Sequence, residues 1–136
     1  MLSAEIHAQV QFNDVDPMNV VWHGNYPRFL ETARTALLDR LGYSYEQMAE
    51  SGHVWPIVEM TIKYVRAVRF RQKLRVIATL VEYENRLRID YRILDGDSGE
   101  LLTKARTTQV AVKAATGELC LESPAALIDC VRNLAS

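Results

Sequence analysis

The sequence predicts an α+β fold in which a single antiparallel sheet of about five strands wraps one long helix. Three observations lead there. Five segments have the composition or alternation of strands. One segment, Tyr26 to Leu41, carries apolar residues at steps of three and four. The later strands are joined mostly by short turns, which make successive strands antiparallel neighbours.

The elements follow in order. From Glu5 to Phe12, Ile6, Ala8, Val10 and Phe12 alternate with His7, Gln9 and Gln11, the pattern of a half-buried strand. Residues 13 to 24 are irregular and rich in turn formers. The helix then runs from Tyr26 to Leu41, with Asn25 as its N-cap and Pro27 in the first turn, where a missing N–H costs nothing. Its stripe is Tyr26, Phe29, Leu30, Ala33, Leu37 and Leu41; Ala36 and Leu38 widen it, so more than one side is covered. Gly42 ends the helix. A short helix or turn between Tyr43 and Gly52 comes next. Val58, Met60, Ile62 and Tyr64 form the second alternating set, Leu74, Val76, Ala78 and Leu80 the third. Leu87, Ile89, Tyr91 and Ile93 form the fourth, alternating with Arg86, Arg88, Asp90 and Arg92. A turn over Asp95 to Gly99 leads to a strand from Leu101 to Lys113, and Ser123 caps a terminal helix from Pro124 to Leu134. A sheet with one main helix leaves edges and apolar surface, so self-association as a dimer is expected.

A chain of 136 residues, 49% hydrophobic and 24% charged, reads as one globular domain over residues 1–136. Disorder and collagen-like structure are excluded. The balance of 16 basic and 17 acidic residues argues against general nucleic-acid binding. Cys120 and Cys130 match neither a metal knuckle nor a redox pair and read as free thiols of a reducing compartment. No secretion signal opens the sequence, and no run approaches the about 20 apolar residues of a membrane span. The expected setting is cytoplasmic.

The chemistry concentrates between Phe12 and Tyr26. Two carboxylates (Asp14, Asp16), His23 and the Trp22 indole fall in a short segment that ends at a helix N-terminus. Free N–H groups and the positive dipole end there favour developing negative charge. A carboxylate beside such a site suits a nucleophile or general base, with the N–H groups holding an oxyanion. The same residues also make an ordinary turn, with Asp14 and Asp16 as turn formers.

Phe12, Asp14, Asp16, Val21, Trp22, His23, Asn25 and Tyr26, followed by Glu31, Ala33 and Arg34, resemble the signature of the hotdog-fold acyl-CoA thioesterases, in their 4-hydroxybenzoyl-CoA thioesterase and YbgC-like branch. Tyr64, Arg66, Leu74, Val76, Ala105, Arg106 and Gly117 continue the match, so the resemblance spans nearly the whole chain. It implies a hotdog fold and hydrolysis of acyl-CoA to acid and CoA, without metal or redox cofactor. It also implies a homodimer or homotetramer with its site at the subunit interface. Asp16 takes the place of the catalytic carboxylate, which attacks the thioester carbonyl or activates water. The backbone N–H of His23 takes the place of the oxyanion donor, and its side chain that of a group orienting water or substrate. Trp22, Asn25, Tyr26 and Met60 fall among the substrate-binding positions, with Trp55 as a further candidate for the acyl pocket. A thiolate leaves readily, so one carboxylate and an oxyanion hole suffice. The resemblance leaves open whether CoA or an acyl-carrier protein bears the acyl group.

Two departures stand out. Asn19 replaces the glycine common three residues after the catalytic aspartate, and Asn tolerates left-handed backbone better than most residues. Ala67 and Gln72 stand where the family commonly has Pro and Asp.

Arg66, Arg69, Arg71, Lys73 and Arg75 form a basic cluster. It reads as a contact for the phosphates of CoA, led by Arg66, Arg69 and Arg71, or equally as a solvated sheet edge. No aromatic pattern accompanies it to suggest RNA. The three histidines lie too far apart for a metal site by spacing. Glu31 is a reserve carboxylate, paired with Arg34 or Arg28 at helical spacing, and Glu59 faces outward. Two other functions compete: a hydratase or dehydratase acting on an acyl thioester, which releases no thiol, and a non-catalytic acyl-CoA-binding module.

Overall fold

The computed structural model describes residues 2–135. Ten elements follow one another: β1 (Ser3–Gln9), α1 (Tyr26–Leu41), α2 (Tyr45–Glu50), β2 (His53–Val54), β3 (Ile57–Tyr64), β4 (Lys73–Glu82), β5 (Leu87–Asp95), β6 (Leu101–Gln109), β7 (Val112–Lys113) and α3 (Ala125–Ala135). The main sheet is antiparallel with order β1-β4-β5-β6-β3, and β2 pairs with β7 in a small second sheet. This is the hotdog arrangement, with α1 lying in the curve of the sheet.

The core is the meeting of two periodicities. Helical spacing buries Phe29, Leu30, Ala33, Leu37, Leu38 and Leu41 on α1. Strand alternation buries Leu74, Val76, Ala78 and Leu80 on β4, and Leu87, Ile89, Tyr91 and Ile93 on β5. Each fully buried Val, Leu, Ile or Phe side chain among them contributes roughly 1.5–3 kcal/mol. Register shifts at Leu80/Glu82 and Ile93/Leu94 place irregularities that bend and twist the strands where the sheet curves around the helix. Helix α1 ends at Gly42, whose φ of 77° is the left-handed value a side chain would resist.

The structure corrects the sequence reading in several places. Strand β1 stops at Gln9, and Phe12 begins a 3-10 turn (Phe12–Asp14) with its ring 78% exposed, not inward on a strand. The segment expected as one strand from Leu101 to Lys113 breaks after Gln109, because β7 leaves the main sheet to pair with β2. Asn25 does not cap α1 with its side chain. Ser123 does not cap α3: its hydroxyl is buried without a hydrogen-bond partner among the described residues. Strands β3 and β4 are not neighbours; β3 pairs with β6 at the far edge, and residues 65–72 cross back to β4. None of the described helices is long and apolar enough to cross a membrane.

Candidate active site

The segment between β1 and α1 is held from both sides. Val15 and Val21 pair across a tight turn in which the Asp16 N–H donates to the Val20 carbonyl and the Asn19 N–H to the Asp16 carbonyl, both at 2.9 Å. Asn19 takes φ 63°, the left-handed turn position expected of it. The crossover 65–72 supplies the outer support. The Val21 N–H donates to the Val68 carbonyl at 2.7 Å, and Val20 bridges to Arg69. Val10 exchanges backbone hydrogen bonds with Gln72 and Arg71. Gln72, at one of the departures, fits this role: its amide accepts from the Arg69 N–H and donates to Asp95 at 2.8 Å.

The two aspartates have separate fates. Asp14 is 2% exposed and its carboxylate is fully engaged, by the Gln11 N–H at 2.8 Å and by the Arg28 guanidinium. Its carbonyl accepts from the Trp22 N–H at 3.0 Å and the Asn25 amide at 2.8 Å, tying the loop to the start of α1. Asp16 is half-buried. Its Oδ1 accepts from the Met18 N–H at 2.8 Å, with the Val20 N–H farther off at 3.5 Å. No donor among the described residues engages its Oδ2. An open hollow of about 460 Å³ lies over this turn, lined by Phe12, Val15, Asp16, Pro17 and Asn19.

His23 opens a 3-10 turn (His23–Asn25) that runs directly into α1. No acceptor among the described residues engages its N–H, while its carbonyl accepts from the Tyr64 hydroxyl at 3.3 Å. The Trp22 indole, half-exposed, lies 5.1 Å from the His23 ring and folds over Gly24, where a Cβ would collide with it. Tyr26 is buried and meets Tyr64 edge-on at 4.8 Å. Burial, then the neighbouring Tyr64, pushes the Tyr26 hydroxyl above its ordinary pKa.

Asp16, Trp22, His23, Asn25 and Tyr26 therefore share one short stretch of chain. Met60 does not join them. It lies half-buried on β3, four residues and about 13 Å along the strand from Tyr64. Arg66 is taken by Glu100 at 2.5 Å, which removes it from the free cationic cluster. Arg69 and Arg71 make no ion pair among the described residues; Arg71 has φ 69° and stacks over Phe70, which in turn meets Phe12 edge-on at 5.9 Å. The Asn25 amide nitrogen is spent on Asp14. Trp55 is buried against Tyr43, to whose hydroxyl its indole N–H donates at 3.2 Å, so it belongs to the core and not to an acyl pocket.

Sequence reasoning missed the partner of Asp14, and it named Tyr64 and Arg34 in the family match without the contacts they make. Arg28 serves Asp14, fourteen residues away, and no local spacing announces that pair. Tyr64, already part of the family match, meets the Tyr26 ring and donates to the His23 carbonyl, contacts that strand alternation does not announce. Arg34 is 1% exposed; its Nε donates to the Tyr45 hydroxyl and its Nη2 to Glu31. Its position, four after Leu30 and three before Leu37, places it on the apolar stripe and was a readable sign of burial. No group of three His, Cys, Asp or Glu side chains that could hold a metal occurs among the described residues.

Comparison with known proteins adds three relatives and a family. The sequence model of the thioesterase-like superfamily matches residues 10–128. A candidate esterase of Synechocystis sp., sll0410, is 31% identical over 121 residues, covering 88% of this chain and 73% of its own. A candidate acyl-CoA thioesterase of Bacillus subtilis, YneP, is 30% identical over 105 residues, covering 76% of this chain and 75% of its own. Among solved structures, a DHNA-CoA thioesterase from Staphylococcus aureus superposes with a TM-score of 0.81 at 26% identity, covering 89% of this chain and 81% of that one.

Proposed function

The chain belongs to the thioesterase-like superfamily and is a thioester hydrolase, and on that premise we propose that it hydrolyses an acyl-CoA through Asp16 and the backbone N–H of His23. The observation that carries this reading is the contrast within one turn of chain. Asp14 is buried and saturated with donors, whereas Asp16 is fixed by one oxygen and leaves the other open. A carboxylate held this way loses little conformational entropy on meeting the thioester carbonyl. As the carbonyl carbon becomes tetrahedral, its oxygen takes up negative charge. The unengaged His23 N–H at the positive end of α1 is suited to receive it.

Two routes share these parts. Asp16 attacks the carbonyl carbon, the carbon–sulfur bond breaks, CoA leaves as thiolate, and water hydrolyses the mixed anhydride to free acid and Asp16. Alternatively Asp16 takes a proton from water as that water attacks. In both, Trp22 and Tyr26 border the acyl group, and Arg69 and Arg71 contact the phosphates of CoA.

The homodimer reading rests on β3. It is an edge strand of the sheet, and Val58, Tyr64 and Val65 on or beside it are 58%, 49% and 42% exposed. An exposed apolar edge of this length is a pairing surface. Two copies joined there would bring a second set of side chains toward the Tyr26–Tyr64 contact; a homotetramer requires a further contact. The reading also takes residues 1–136 as one domain in the cytoplasm, where Cys120 and Cys130 remain thiols. An acyl-carrier protein is the other carrier that would present the same thioester.

The test is thiol release from short, medium, long and aromatic acyl-CoAs and from an acyl-carrier thioester, with wild type and Asp16→Asn in parallel. Turnover should fall by about 10²–10⁴-fold in the variant. Equal turnover by the two proteins, or loss of acyl-CoA without free thiol, would overturn the assignment.

A further inference from the structure

We propose that the outer face of the sheet, opposite α1, holds a binding site for a phosphorylated small molecule, separate from the Asp16 turn. A trough of about 560 Å³ lies there, spanning β3, β6, β5 and β4. Its floor includes the backbone at Tyr91, whose side chain is buried on the other side of the sheet.

The charges in the trough are arranged in a row. Lys63 on β3 stands directly opposite Lys104 on β6, and Lys104 stands opposite Arg92 on β5. Neighbouring strands are about 4.8 Å apart, so the three positions span roughly 10 Å. None of the three has a carboxylate in ion-pair reach among the described residues. Like charges at directly opposed positions repel and cost stability. Elsewhere on this sheet Arg75 is paired with Glu5 and Arg106 with Asp90. The row thus gathers three directly opposed cations in a chain whose net charge is −1.

Arg106, one step along the same face, adds a held donor. Asp90 fixes it through Nε at 2.5 Å and Nη2 at 3.0 Å. The lining as a whole sets four cations, Lys63, Arg92, Lys104 and Arg106, against the single carboxylate of Asp90, a surplus of three. An arginine fork and two lysine heads at this spacing match the oxygens of a phosphate or diphosphate. The volume lies within the range of about 300–1,000 Å³ typical of small-molecule sites, enough for a nucleoside diphosphate or triphosphate.

The experiment is calorimetric titration of the full chain at low salt with ATP, inorganic diphosphate and adenosine. Wild type, Lys104→Glu, Lys63→Ala and the double variant Arg69→Ala/Arg71→Ala are compared. ATP and diphosphate should bind saturably and adenosine should not. Lys104→Glu should weaken binding by more than about tenfold, and Lys63→Ala by less. The double variant should keep the saturable binding that Lys104→Glu weakens. Lys104 and Lys63 are exposed, so melting temperatures should match the wild type and exclude misfolding as the cause. Lack of saturation at millimolar ATP would overturn the proposal, as would unchanged affinity in Lys104→Glu or loss of binding in the double variant. So would a change in sedimenting mass in Lys104→Glu, which would mean that a second copy of the chain covers this face.

Discussion

Asp14→Asn should lower stability, while Asp16→Asn leaves stability nearly unchanged and removes activity. The Asp14 carboxylate is 2% exposed and serves two donors, the Gln11 N–H and the Arg28 guanidinium. Asparagine keeps the shape but offers one acceptor oxygen, so its NH2 group must face one of the two donors. A charge-assisted hydrogen bond is worth about 1.5–3 kcal/mol. Arg28 has a side chain 55% exposed and can return to water, which discounts the ionic part. About 2 kcal/mol is left, or a melting temperature lower by roughly 4–10 °C for a chain of this size. Asp16 sits at a half-buried turn and keeps its shape as asparagine, so its substitution should stay within about 0.5 kcal/mol. The assay is thermal unfolding by circular dichroism on both variants, with thiol release on the same samples. The reasoning is refuted if Asp14→Asn melts with the wild type, or if Asp16→Asn is the less stable of the two.

Three further outcomes follow from the same structure. Gly24→Ala should displace the Trp22 indole, whose far ring edge occupies the space a Cβ needs; a shift in tryptophan emission with little change in melting is expected, and unchanged emission would count against the contact. Leu37→Ala, at a site with no exposure, should cost about 2–5 kcal/mol in denaturant unfolding, and a loss well below that would mean the α1–sheet seam collapses around the gap. Asp95 is held at about 2 by the Ser98 N–H, then the Gln72 amide and the Asp97 N–H. A folded-state pKa below the unfolded one contributes stability above about pH 4 that disappears as pH falls toward 2. Carboxyl titration by NMR should find the Asp95 midpoint raised in Gln72→Leu, and an unmoved midpoint would show that Gln72 does not act there.

The Asp95–Gln72 link also explains how a turn far along the chain serves the site. Gln72 ties the β5–β6 turn to the crossover 65–72, and that crossover pairs with the loop carrying Asp16. Substitutions at Asp95 or Gln72 should therefore disturb the support of the loop carrying Asp16.

The sequence by itself determined what depends on neighbours along the chain. The bounds of α1 at Tyr26 and Leu41, the inward phase of β4 and β5, and the left-handed turn at Asn19 are all set by local periodicity or backbone preference. The family signature pointed to the loop that the structure anchors at the start of α1. Tertiary structure alone decided the rest. It sent β3 to the far edge beside β6, drew Arg28 onto Asp14, engaged Arg66 with Glu100 and brought Tyr64 against Tyr26. It also separated two aspartates that share one short motif, one saturated and one open. The reason is physical: side-chain phase along a helix or strand is a local property, whereas strand order, burial of a charge and the supply of donors depend on segments far apart in the chain.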